Sequence, residues 1–206
     1  MVLEIRKLGE YVGAEALGVD LSKPVDEETQ RALNEAVIEH VALVIRDQNY
    51  GPNEFVQAAS AFGEPMAQNF TKFTCKEQPL VNYVSNKYKS AEGKRVYHSG
   101  YWHTDHANRD APPKYTTLYA LELPDSGGGD TGVFNTRAGF ASLSRDWQDK
   151  LEGLQTVNSF RGTSKTAQSF KVDVSDKLID DVPVTHNLVR THSENGKKAI
   201  YLHQGK

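Results

Sequence analysis

Cysteine is almost missing from this 206-residue chain, where Cys75 stands alone. A single thiol excludes an internal disulfide framework and fits a reducing cytoplasm, the expected location. Long apolar runs are missing too. No stretch approaches the roughly 20 consecutive apolar residues that span a bilayer, so no membrane partner is expected. The opening Met1-Val2-Leu3-Glu4-Ile5-Arg6-Lys7 has no apolar core of the kind a secretory signal needs. Positive charge is not in excess: 24 Lys and Arg against 27 Asp and Glu give a net charge of −3. That balance argues against a nucleic-acid partner, which a basic face would accompany. Repeats, low-complexity tracts and obvious linkers are also lacking, and a chain of this length can bury one full core. One domain, residues 1–206, is the expectation.

What is present first reads as helical. Asp26 is a plausible N-cap for a helix to His40, with Glu27 and Glu28 in its first turn and Leu33, Ala36 and Val37 as its apolar stripe. Val41–Ile45 reads as a short buried strand. A second helix starts near Pro52 and Asn53, presents Phe55, Ala58, Ala59 and Phe62, and stops at Gly63. Beyond residue 64 strand character dominates, over Leu80–Val84, Tyr115–Leu123, Thr131–Asn135 and Leu154–Phe160. A helix around Arg137–Leu151 interrupts it. Val184–Thr191 and Lys198–His203 flank Ser193-Glu194-Asn195-Gly196, an Asn-Gly hairpin signal. Arg161–Asp181 reads as a long loop, either a lid or simply solvated. The pattern is α+β, a sandwich or jelly roll with helical cover.

The chemistry concentrates at Trp102-His103-Thr104-Asp105-His106. In extended backbone, residues two apart face the same way. His103 and Asp105 then offer one imidazole and one carboxylate, two thirds of the facial triad that suits non-haem Fe(II). Spacing alone is weak evidence, since chance supplies about 0.4 His-x-Asp pairs in such a chain. Trp102 can wall the pair. Downstream, Gly127-Gly128-Gly129 lets the backbone turn tightly before Thr131, whose hydroxyl can donate to a carboxylate. The plain alternative is a β-turn with a solvent-facing threonine.

Several spaced blocks add to this. Leu17-Gly18-Val19-Asp20-Leu21-Ser22, His40 through Gln48 (ending Ile45-Arg46-Asp47-Gln48), Phe62-Gly63-Glu64-Pro65, Trp102-His103-Thr104-Asp105, Pro112-Pro113, Glu122-Leu123-Pro124, Gly128-Gly129-Asp130-Thr131 and Arg190-Thr191-His192 occur in this order. Together they resemble the taurine dioxygenase-like (TauD/TfdA) family of Fe(II)- and 2-oxoglutarate-dependent dioxygenases, over essentially the whole chain.

The resemblance implies a double-stranded β-helix, a jelly-roll core. It implies His103 and Asp105 as iron ligands, Thr131 as a contact to a 2-oxoglutarate carboxylate, and O2 as oxidant. The implied reaction couples decarboxylation of 2-oxoglutarate to succinate with hydroxylation of a small, anionic organic substrate. A carboxylate at Asp105 favours hydroxylation over halogenation. Gln68, Ser99 and His106 are the candidates for substrate contact. Ser99 stands where taurine-type members carry asparagine, and the loop Gln68-Asn69-Phe70-Thr71 lacks their His and Tyr, which speaks against taurine itself. A histidine bonded within its own loop is the competing reading of His106. Tyr97, Tyr101 and Phe73 are either pocket or core aromatics.

In the family a distal histidine ligand and a 2-oxoglutarate-binding arginine follow farther on than Lys206. His186, His192 and His203 are poor substitutes, and neither Arg161 nor Arg190 is singled out by spacing. The expectation is a domain lacking the C-terminal portion, whose unclosed sheet edges would permit homo-oligomer formation. Two other functions compete with the dioxygenase. One is an inactive descendant serving as a ligand-binding or assembly module. The other is a hydrolytic Zn2+ site on the same His-x-Asp pair.

Overall fold

The computed structural model describes residues 2–68, 73–85, 87, 102–159 and 182–202. Contacts divide the chain into two compact units. The first is Met1–Pro65, Tyr115–Ser144 and Thr191–Ala199, and the second is Met66–Lys114, Arg145–Arg190 and Ile200–Lys206.

In the first unit, β1 (Glu4–Lys7) runs antiparallel to β2 (Ala14–Leu17), and β2 runs parallel to β3 (Leu43–Ile45). Parallel neighbours need a crossover, and α1 (Glu27–His40) supplies it. Asp26 caps α1 as expected, accepting from the Thr29 amide at 2.7 Å. Leu33 and Ala36 are its buried residues, and Leu33 is fully enclosed. Ala16 of β2 leaves room for Leu33, and both join Leu21, Ala58 and Ala61 in the core. α2 (Pro52–Ser60), also in this unit, brings Ala58 to that core. The predicted strand over Val41–Ile45 begins only at Leu43, because Val41 closes α1 with φ +70° and donates to the Val37 carbonyl at 2.8 Å. Arg137 covers two more carbonyls of the helix end, Ile38 O at 3.0 Å and Glu39 O at 2.5 Å. A cation there also complements the helix dipole.

β2 carries the least expected feature of this unit. Glu15 is only 2% exposed, yet its carboxylate is bonded to the Arg6 guanidinium and to Arg46 Nε, the latter at 2.5 Å. Arg6 lies directly across the antiparallel register from Glu15. The two guanidinium hydrogen bonds hold the Glu15 carboxyl below its ordinary pKa, against the opposing pull of burial.

Strands do not form where the sequence suggested them at Tyr115–Leu123 and Thr131–Asn135. A strand needs a partner ladder, and no pairing with these stretches exists among the described residues. Leu118, Leu121, Leu123, Val133 and Phe134 are exposed. Two tyrosines anchor the first stretch instead. The Tyr115 hydroxyl donates to Asn34 Oδ1 at 3.1 Å, and Tyr119 packs on Tyr50 with ring centroids 4.9 Å apart. Burial pushes the Tyr50 hydroxyl up to about 12.

The predicted helix Arg137–Leu151 is two: α3 (Thr136–Ala141), capped by Asn135, and α4 (Arg145–Glu152). The second unit holds α4 and the antiparallel pair β4 (Gln155–Asn158) and β5 (Val184–Asn187), with His186 opposite Thr156. Leu80–Val84 contributes only an isolated bridge, Asn82 to Thr74. The expected strand Val184–Thr191 is broken at Leu188 into β5 and β6 (Val189–Thr191). β6 pairs with β7 (Lys198–Ile200) across the predicted Asn-Gly turn, where Gly196 takes φ +67°. The predicted loop Arg161–Asp181 lies outside the described residues. No helix among the described residues is long and apolar enough to cross a membrane.

Candidate metal centre

Residues 102–104 carry no regular structure, and a turn follows over residues 105–108. The strand geometry suggested by the His-x-Asp spacing is therefore absent, yet the two side chains still meet. His103 Nε2 lies 3.4 Å from Asp105 Oδ1, with the side chains 30% and 42% exposed. Ligands at about 2.1 Å from one divalent ion, roughly 90° to 110° apart, sit about 3.0–3.4 Å from each other. The pair thus fits two positions on a single cation, one neutral nitrogen and one anionic oxygen. Among the described residues no group of three or more His, Cys, Asp or Glu side chains could hold a metal.

The turn beyond the pair is tightly specified. His106 takes φ +53°, a left-handed conformation uncommon for a side chain with a Cβ. The Arg109 amide returns to the His106 carbonyl at 3.0 Å. His106 Nε2 lies 3.0 Å from Gln68 Oε1, so two of the three substrate-contact candidates meet. Gln68 can only accept through that oxygen, which makes Nε2 the donor. Burial, then the nearby Arg109, lowers the His106 pKa, and Asp105 opposes them. Ser99, the third candidate, lies outside the described residues, as do Tyr97, Tyr101, Arg161 and His203.

His186 is buried, and its Nε2 lies 3.0 Å from Ala107 O and 2.9 Å from Arg109 O. Its ring stands edge-on to Tyr201, with centroids 5.3 Å apart, and the Arg190 guanidinium lies over the Tyr201 ring at 4.6 Å. His192 accepts from the Glu194 amide at 3.2 Å in the hairpin turn. Sequence reasoning set His186 aside as a ligand and assigned it nothing else. No sequence signal could have paired it with a turn almost 80 residues earlier.

Thr131 belongs to the first unit, exposed on a stretch without regular structure. The glycines before it, Gly127, Gly128 and Gly129, take φ of +74°, +89° and +74°. Three successive left-handed residues are accessible only where no Cβ opposes them, which explains the glycine run.

The profile of the Taurine catabolism dioxygenase TauD, TfdA family matches residues 4–206. The chain belongs to that family. It is 29% identical over 207 residues to an alkylsulfatase of Acinetobacter baylyi, covering 97% of this chain and 62% of the relative. An alpha-ketoglutarate-dependent sulfonate dioxygenase of Saccharomyces cerevisiae is 28% identical, covering 98% and 49%. The crystal structure of AAD-2 in complex with Mn(II) and N-oxalylglycine superposes with a TM-score of 0.71 at 24% identity, covering 98% and 70%. That likeness shows a shared fold, which in this family is a jelly roll. The chain spans about half to two thirds of the length of these curated relatives.

Proposed function

We propose that this chain carries two of the iron ligands of an Fe(II)- and 2-oxoglutarate-dependent dioxygenase with a jelly-roll fold. The observation that carries the reading is the 3.4 Å approach of His103 Nε2 to Asp105 Oδ1 in a chain of this family. Iron bound there would supply activation of O2 coupled to decarboxylation of 2-oxoglutarate to succinate, and so hydroxylation of the substrate. His103 contributes a neutral nitrogen and Asp105 an anionic oxygen. The Thr131 hydroxyl donates to a carboxylate of 2-oxoglutarate. Gln68 and His106, bonded to each other beside the aspartate, and Ser99 contact the substrate.

The substrate class is a small organic anion. The named relatives handle sulfonates and alkyl sulfates, which carry an oxyanion next to a hydrocarbon portion. The Mn(II) and N-oxalylglycine held by AAD-2 support a divalent metal and a dicarboxylate as partners for this chain as well.

The test is an anaerobic titration with Fe(II) and 2-oxoglutarate. A weak visible absorption band is expected, abolished by His103→Ala. Thr131→Ala should weaken 2-oxoglutarate binding by about 1.5–3 kcal/mol, one hydrogen bond to a charged carboxylate, while iron binding is kept. Iron retained unchanged by His103→Ala would sink the assignment.

A further inference from the structure

We infer that His186 is a positioning residue for the His103–Asp105 pair: its Nε2–H, shared between the Ala107 and Arg109 carbonyls, fixes the turn that aims the Asp105 carboxylate. This rests on the reading of His103 and Asp105 as metal ligands. Carbonyl oxygens only accept, so the nitrogen facing both must carry the hydrogen. The same nitrogen is thereby committed and is not offered to a cation.

The placement is what gives the contact consequence. Ala107 and Arg109 stand two and four residues after Asp105, on the turn that decides where the carboxylate points. At the centre of that turn His106 holds φ +53°. Such a conformation persists only where its surroundings over-determine it. Here two clamps act on it: Gln68 on the His106 ring from one side, and His186 on the two following carbonyls.

His186 is itself held firmly. It lies on β5 opposite Thr156, is 9% exposed, and meets the Tyr201 ring edge-on at 81°. A buried histidine with two carbonyl acceptors could be mere core satisfaction. That reading predicts effects on stability alone, whereas a clamp on the ligand turn also predicts effects on metal affinity. Groups that orient metal ligands without touching the ion commonly change affinity when removed.

The experiment is a Mn(II) titration of the full chain, following loss of the free-ion electron paramagnetic resonance signal, with circular dichroism as the fold check. His186→Gln keeps an N–H near the position of Nε2, whereas His186→Asn falls one methylene short and His186→Phe has no donor. Expected are affinities on the order of tenfold weaker for the Asn and Phe variants, with Gln within about threefold of the parent. Equal Mn(II) affinity for folded Gln and Asn variants overturns the clamp. His103→Ala separates the two layers. If it removes Mn(II) binding while the folded Phe variant binds like the parent, the positioning role fails and the ligand reading stands. If it leaves binding unchanged, the ligand reading fails and the clamp with it. A measurement without substitution guards against misfolded variants. In the 15N-labelled parent the His186 Nε2–H should exchange slowly with water, and rapid exchange overturns the proposal.

Discussion

The β1–β2–α1–β3 block and the turn after Asp105 are both tightly determined, by opposite means. In the first, apolar side chains do most of the specifying: Ala16, Leu21, Leu33, Ala58 and Ala61 exclude water and each other's alternatives. In the second, little apolar area is available, and the chain is held by polar contacts to its own backbone and by one left-handed residue. Packing of the first kind tolerates no loss of volume. Clamping of the second kind leaves His103 and Asp105 partly open, as a ligand pair must be if anything is to bind there.

Substitutions should separate the two regimes. Leu33→Ala should have the largest effect on folding, about 2–5 kcal/mol, because a fully enclosed leucine leaves a cavity. Chemical denaturation would measure it, and Mn(II) affinity of the protein still folded should not change. A comparable loss of affinity would mean that the two regimes are not separate.

Glu15→Gln should come next, removing the partner of two arginines, and its signature is the pH dependence. The folded Glu15 pKa lies below its unfolded value, so its contribution is full above the unfolded carboxylate range and fades as pH falls through the folded pKa. The parent should therefore lose stability on acidification more steeply than the Gln variant below about pH 4.5. Parallel acid profiles in thermal melts would contradict the pairing. Asp26→Ala should have the smallest effect, about 1 kcal/mol, for loss of the cap on α1.

Much of the first region was legible in the sequence. The N-cap, acidic first turn and stripe of α1 are local signals, and the structure keeps them within a residue. β2 was not legible, because Ala-Glu-Ala has little strand propensity. It is a strand only because α1 packs on Ala16 and two arginines neutralise Glu15, and both are tertiary facts. Tyr115–Leu123 failed in the opposite direction. Its residues suit a strand, but pairing belongs to two segments, and no partner ladder is present among the described residues.

The candidate site divides likewise. His103 and Asp105 stood out by spacing only together with the family blocks, and they meet even though the strand that motivated the spacing argument is absent. The Gln68–His106 contact and the His186 clamp depend on register and on turns distant in sequence, which leave no trace in a local pattern.

Gln48 bears on how descent is traced in such chains. Its side chain accepts from the Leu21 amide and the Tyr50 hydroxyl and donates to the carbonyls of Val19 and Arg46. A residue so occupied holds its part of the fold together, whatever becomes of the chemistry. The Ile45-Arg46-Asp47-Gln48 block would thus outlive a lost activity, as a fossil of ancestry in chains that no longer turn over any substrate. A gene catalogue that scores such blocks counts kinship, not working enzymes.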